Sequence, residues 1–330
     1  MRPPPPPSRA DVAAAWPTAA DIRDAAEALR AVAPPTPLVE TAGLSRLAGA
    51  PVWLKCELSQ PMGAFKVRGA WTAITRLSGE AKQKGILTHS SGNHGQAVAF
   101  VAQKLGLRAV IVMPRTAPQV KVDGVRRYGG EIVFTEATTS ARLAKAAEVQ
   151  AAQGLTMVPP YDDPNIVLGQ STCAFEVLER APEIRTFLVP IGGGGLLGGT
   201  CATAAVFAPD ATIIGVEPEG AAKLSAALAA GKPTALEKTG SIADGLLPLS
   251  VGTLTFEYIR PFVKEAARVS DQEIGDAVKY LYHEQGLKVE PSGAVGVAAL
   301  LTGKFRPTGP TAVILSGGNV DPARFAELVA

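Results

Sequence analysis

The chain lacks the features that would commit it to several common classes. Aromatic residues make up only 5% of its 330 positions, and neither charge sign prevails: 32 basic and 30 acidic side chains leave a net charge of +2. Without a basic field, nothing here is suited to a nucleic-acid backbone or an anionic membrane surface. There are three cysteines, Cys56, Cys173 and Cys201, and they lie far apart. An odd, scattered set argues against a disulfide framework, and with no Cys-x-x-Cys pair it offers no zinc site. The expectation is small buried thiols in a reducing cytoplasm. No apolar run is long enough to span a bilayer; the longest candidate, Thr200 to Ala208, stops at Pro209-Asp210. Met1-Arg2 leads into Pro3 to Pro7 and not into an apolar segment. No signal peptide is expected, and residues 1–18 read as an extended, flexible arm. The pattern G-x-x-x-x-G-K-[ST] is missing too, which argues against nucleoside triphosphate hydrolysis.

Glycine and proline are plentiful and hydrophobic residues reach 47%, a mix that suits an α/β enzyme with a large core and many tight turns. A helix is predicted after Thr18, with Ile22, Ala25, Ala26 and Leu29 on one face and Pro34-Pro35 beyond its end. Strands are predicted at Val52 to Cys56, Gly85 to Thr88, Ala109 to Met113 and Ile132 to Phe134, with helices at Gln96 to Leu105, Val120 to Tyr128 and Thr139 to Ala152. The second half alternates in the same way: strands at Thr186 to Pro190, Thr212 to Glu217 and Ala312 to Leu315, and helices after Gly195, at Asp271 to Gln285 and at Gly293 to Leu301. Such alternation implies parallel sheets covered on both faces. Two sheet-based domains with a site between them is the economical arrangement.

Four segments carry chemistry. Gly192 to Gly195 follow an apolar strand and precede a helix. Backbone without side chains can wrap an anion there and aim its N–H groups at a phosphate; the same run also serves as a flexible turn. Lys66 sits between Phe65 and small residues at the mouth of a helix. Desolvation there would lower its pKa and free an amine able to form a Schiff base, although a lysine taken alone is more often a surface charge. Ser90-Ser91-Gly92-Asn93-His94-Gly95 gathers polar side chains and amides at a strand-to-helix turn, which suits a carboxylate. Ser316-Gly317-Gly318-Asn319 lies at the carboxyl end of the last strand, where α/β sheets place ligands.

As a set and in this order, these segments resemble the serine/threonine dehydratase and serine racemase family of fold-type II pyridoxal-phosphate (PLP) enzymes. Further matches are Lys55-x-Glu57-x-x-Gln60, Phe65-Lys66-x-Arg68-Gly69-Ala70, Gly169-Gln170, Ala243-Asp244-Gly245 and Glu290-Pro291-Ser292-Gly293. The resemblance covers the chain from about Ile22 to Asp321. It implies a tryptophan synthase β-like α/β fold with two parallel-sheet domains and the cofactor between them: residues 1–80 with 161–330 as the large domain, and 81–160 as the small one. It implies that Lys66 holds PLP as a Schiff base beside Phe65, that Asn93 contacts the PLP 3′-oxygen, that Gly192, Gly193, Gly194 and Gly195 cup the phosphate, and that Ser316 faces the pyridine nitrogen. It places the substrate carboxylate at Ser90, Ser91, Asn93 and His94. Arg142 aligns with an arginine that approaches the substrate in the racemase branch. Lys55, Glu57 and Arg68 are expected to be structural.

The implied reaction is dehydration and deamination of L-threonine or L-serine to a 2-oxo acid and ammonia, with Lys66 as base. The alternatives are a serine racemase or a threo-3-hydroxyaspartate dehydratase. Ser91 is the residue that would act as the second acid in racemisation. Met62 and Ala64 stand where the family usually carries hydroxyl residues or serine, and Tyr161 resembles the dehydratases. No divalent metal is expected, because Lys223 stands where relatives carry an acidic ligand and is expected to pair with Glu217 instead. The resemblance further implies a cytoplasmic homodimer with a small amino-acid substrate. The short tail after Ser316 suggests no regulatory domain and no feedback by isoleucine.

Overall fold

Among the described residues, ten strands form two sheets, with helices between them. The computed structural model describes Ser8, Arg9 and residues 17–330; the extended arm expected at Pro3 to Pro7 lies outside the described residues. The larger sheet has the order β1-β2-β10-β7-β8-β9, formed by Leu38–Glu40 (β1), Val52–Cys56 (β2), Thr311–Leu315 (β10), Thr186–Pro190 (β7), Thr212–Pro218 (β8) and Ala266–Val269 (β9). The smaller has the order β5-β4-β3-β6, formed by Glu131–Thr135 (β5), Ala109–Pro114 (β4), Ile86–His89 (β3) and Thr156–Met157 (β6). All pairs are parallel except β1 with β2, where Leu38 faces Lys55 and Glu40 faces Trp53. The smaller sheet draws its strands wholly from residues 86–157. The larger draws them from either side of that insertion.

The central strands are continuous apolar runs because both faces are covered. Ala312 and Ile314 pack into one core with helices 164–180 and 195–207, while Val313 and Leu315 pack into another with helices 271–285 and 291–301. Each such Val, Ile or Leu contributes about 1.5–3 kcal/mol when fully buried. Local signals agree with the packing. Thr18 caps the helix Ala19–Leu29, accepting from the Asp21 N–H at 3.2 Å while Asp21 reaches back to the Thr18 N–H at 3.0 Å, a reciprocal box worth about 1 kcal/mol. Ser270 and Glu273 do the same for Asp271–Gln285.

The helix Lys66–Thr75 is pinned from below by buried charges. Arg68 donates to Glu57 Oε2 at 2.8 Å and Oε1 at 2.9 Å, and to Glu176 Oε1 at 2.6 Å. Lys55 joins Glu176, and Thr36 donates to Glu57 at 2.6 Å. Two cations face two carboxylates, so the desolvation cost is offset within the cluster. Burial alone would raise the Glu57 pKa, but Arg68 and Lys55 pull it down to about 2. The cluster joins β2 to helix 164–180 and fixes the turn from which Lys66 projects.

Candidate active site

Carboxyl ends of parallel strands from both sheets converge on one cavity of about 430 Å³. The turn after β3 supplies Ser90, Ser91, Asn93 and His94, the turn after β7 supplies Gly192 to Gly195, and the turn after β10 supplies Ser316. Lys66, Phe65, Arg142 and Tyr161 complete the walls. Every residue that the sequence motifs single out for the site therefore borders one space.

Lys66 opens its helix with an ammonium that donates to the Pro160 carbonyl at 2.6 Å and lies 5.2 Å from the Phe65 ring centre. Burial lowers its pKa to about 8, with no carboxylate opposing the shift. A substantial fraction is therefore neutral amine near pH 8.

The glycine turn is built to present amides. The Gly193 carbonyl is held by the Gly252 N–H at 3.0 Å and the Thr255 hydroxyl at 2.8 Å. Because the peptide is trans, the Gly194 N–H points the opposite way. Gly194 has φ +101, and a Cβ there would lie 2.7 Å from Thr255 Oγ1. At Gly193 a Cβ would run into the Tyr161 ring at 2.2 Å. The turn then opens the helix Gly195–Phe207, whose first N–H groups lack intrahelical partners. This is a cradle for a phosphate.

The helix Asn93–Leu105 starts three residues before the predicted Gln96, because Gly92 takes the N-cap position and the motif itself winds into the first turn. The His94 ring is buried and contacts the Val158 carbonyl at 3.2 Å through Nε2. Burial, then the nearby Lys66, holds its pKa well below the usual histidine value. The ring is thus committed to the smaller sheet, and what His94 offers a carboxylate is its place at the helix start. The Ser316 carbonyl accepts the Phe65 N–H at 3.1 Å, while its hydroxyl makes no hydrogen bond among the described residues. Arg142 has a buried Nε without a partner and no carboxylate counter-ion among the described residues; the one hydrogen bond of its side chain there is a 3.4 Å contact to Thr139. Burial lowers its pKa.

The residues fit a phosphorylated aldehyde cofactor: an anion cradle, a desolvated amine and a neutral hydroxyl border one cavity of the right size. The sequence profile of pyridoxal-phosphate dependent enzymes matches residues 29–317. The chain belongs to that family. It is 41% identical over 306 residues to a beta-hydroxyaspartate dehydratase of Paracoccus denitrificans, covering 92% of this chain and 97% of the relative. It is 36% identical over 304 residues to an L-threonine ammonia-lyase of Thermotoga maritima, covering 92% and 76%. A maize serine racemase structure superposes with a TM-score of 0.90 at 38% identity, covering 93% of this chain and 95% of that one. The protein is accordingly an α/β, fold-type II PLP enzyme of the branch that dehydrates or racemises amino acids, and PLP is its cofactor.

Lys223 and Glu217 form the expected pair, as a long contact between two fully buried side chains. The Lys223 ammonium donates to the Ala221 carbonyl at 2.8 Å and the Leu246 carbonyl at 2.9 Å, and Glu217 lies 3.9 Å away. Glu217 also accepts from the Leu224 and Ser225 N–H groups at 2.7 and 2.9 Å. Among the described residues no cluster of three or more His, Cys, Asp or Glu side chains is arranged to hold a metal, and no helix is long and apolar enough to cross a membrane.

The sequence motifs gave no role to Lys121, which is fully buried behind the Ser90–Asn93 turn. It sits between Val120 and Val122, and nothing local distinguishes it from a solvated helix lysine. Its partners Asp244 and Glu290 do lie in recognisable motifs, and that pairing is the signal that points to it.

Proposed function

We propose that the protein dehydrates and deaminates a small L-3-hydroxy amino acid, L-threonine or L-serine, releasing a 2-oxo acid and ammonia. The observation that carries this reading is the Lys66 amine, desolvated to a pKa of about 8 beside the glycine cradle. Bound PLP supplies the electron sink that makes the substrate α-proton acidic. The Gly192–Gly195 turn and the helix behind it hold the phosphate. Ser90, Ser91, Asn93 and the start of helix 93–105 receive the substrate carboxylate and fix which Cα–H bond faces Lys66. The neutral Lys66 amine takes that proton. Ser316 offers the pyridine nitrogen a hydroxyl and no negative charge, so protonation of that nitrogen gains no ionic support. Held there, PLP would be a weaker electron sink, which would favour prompt loss of the β-hydroxyl over long storage of negative charge. Loss of the α-proton and the β-hydroxide expels water, and its return in hydrolysis yields the 2-oxo acid and ammonia.

Residues 81–160 act as a small domain against residues 1–80 and 161–330 in this reading. A cytoplasmic homodimer is the assembly proposed from the resemblance, which sedimentation would check.

The test is ammonia and 2-oxo acid release from L-threonine, L-serine, D-serine and the 3-hydroxyaspartates. Borohydride should fix PLP to Lys66, and Lys66→Ala should lose turnover by about 10³-fold or more, since anchor and base go together. Fixation at another lysine would sink the assignment.

One observation favours a second reading. The half-buried Arg142 guanidinium in the cavity wall has no carboxylate partner among the described residues and suits a substrate with a second carboxylate, which makes 3-hydroxyaspartate the rival substrate. If so, Arg142→Gln should cut kcat/KM for 3-hydroxyaspartate by about tenfold to a hundredfold, the worth of a charged hydrogen bond, and leave L-threonine within about threefold. Equal losses on both substrates would exclude this role.

A further inference from the structure

The two sheets are tied together behind the site by one lysine. Lys121 is 1% exposed and lies on the helix Gln119–Arg127, which packs beside β5 and helix 93–105. Its ammonium reaches Asp244 at 2.5 Å and Glu290 at 3.1 Å, both from the segments around the larger sheet. Its stem runs under the Ser90–Asn93 turn, where a Cβ on Gly92 would lie 3.5 Å from Lys121 Cδ. Glu290 Oε1 in turn accepts from Asn93 Nδ2 at 2.5 Å, and Asn93 Oδ1 accepts from Asn319 Nδ2 at 2.9 Å.

This chain gives the Asn93 amide a definite sense. A carboxylate only accepts, so the side facing Glu290 must be the NH₂. One of its two N–H bonds is used there, and the carbonyl is used by Asn319. The second N–H is left at the cavity wall. Glu290 is buried, and burial raises its pKa while Lys121 opposes the rise. Without the ammonium the carboxyl would take up a proton; the neutral acid accepts more weakly from the NH₂ and carries an O–H that can pair with the amide carbonyl instead. The amide would then lose its charged anchor and keep only the contact with Asn319 to fix its sense.

We propose that Lys121 is a positioning residue: by holding the Glu290 carboxylate against Asn93, it fixes which edge of the Asn93 amide meets the 3′-oxygen of bound PLP. The inference rests on the reading that Lys66 carries the cofactor and Asn93 faces it. Lys121 touches neither substrate nor cofactor; its effect passes through two side chains.

The experiment uses four holoenzymes: wild type, Lys121→Met, Glu290→Gln, and the double variant. Two quantities are read: the visible absorption band of the bound cofactor with its pH titration, and PLP affinity from absorbance titration of the apoprotein. Lys121→Met and Glu290→Gln should each displace the band or its titration midpoint and weaken PLP by a few-fold to about tenfold, the worth of one hydrogen bond. The double variant should match Glu290→Gln, because the two residues act in series. Lys121→Met leaves a buried carboxylate unpaired; if it fails to fold, the uncharged double variant set against Glu290→Gln decides the matter. A folded Lys121→Met with wild-type band and affinity overturns the proposal. So does an unchanged Glu290→Gln, or a double variant in which the two effects add. A wild-type protein with no visible band would instead defeat the reading of Lys66.

Discussion

Ser91 stands in the turn after β3, and its hydroxyl neither donates to nor accepts from any described residue. Elimination needs a base on one face of the substrate α-carbon, which Lys66 provides. Racemisation also needs a proton donor on the opposite face. A serine hydroxyl with no basic neighbour is a poor acid–base group, because its intrinsic pKa is far from neutral. The expected behaviour is therefore dominant dehydration with slow D-serine formation. Ser91→Ala should abolish D-serine from L-serine and leave most of the 2-oxo acid made from L-threonine. Chiral chromatography of a long incubation reads both products; equal D-serine from wild type and variant, or none from either, would remove Ser91 from the chemistry. At this scale the site was largely legible, because its members sit in short motifs next to strand ends. Lys121 was not, since its meaning comes from partners 123 and 169 positions away in sequence, Asp244 and Glu290.

Among the elements, the glycine turn and its helix depend most on backbone geometry. With φ +101 at Gly194, an L side chain costs about 1–2 kcal/mol of left-handed strain before the 2.7 Å approach to Thr255 is counted. Gly194→Ala should weaken PLP by about tenfold or more, while thermal melting still shows a cooperative transition. Wild-type affinity in that variant would show that the turn does not form the cradle. Helices with one apolar stripe, such as Asp271–Gln285, were readable from their period. Pro164–Arg180 was not: it is covered by helices 19–29, 66–75 and 195–207 and is buried around most of its circumference, so no polar stripe marks it. The short edge strands β1 and β9 escaped for a different reason. Their pairing is set by partners elsewhere in the chain, not by their own three or four residues. The antiparallel β1 is the one departure from an otherwise parallel arrangement.

For the molecule as a whole, alternation of strands and helices was enough to indicate two covered sheets with a cavity at their carboxyl ends. The buried charge cluster of Lys55, Glu57, Arg68 and Glu176 was legible only in part, since Glu176 belongs to the unread helix. The three cysteines add a different consequence. Cys56 ends β2, while Cys173 and Cys201 lie within neighbouring helices, and all three are buried. Burial pushes the Cys56 thiol up to about 11 and the other two upward as well. Thiols that are both covered and protonated do not react with alkylating or disulfide reagents at neutral pH. The native protein should therefore resist Ellman's reagent and label only when its core opens. The rate of labelling then reports how often the large sheet comes apart. Rapid modification of any of the three under native conditions would show that part of this core opens independently. If they stay silent, the chain carries its own unfolding gauge, and a single cysteine engineered on its surface could be tagged without interference.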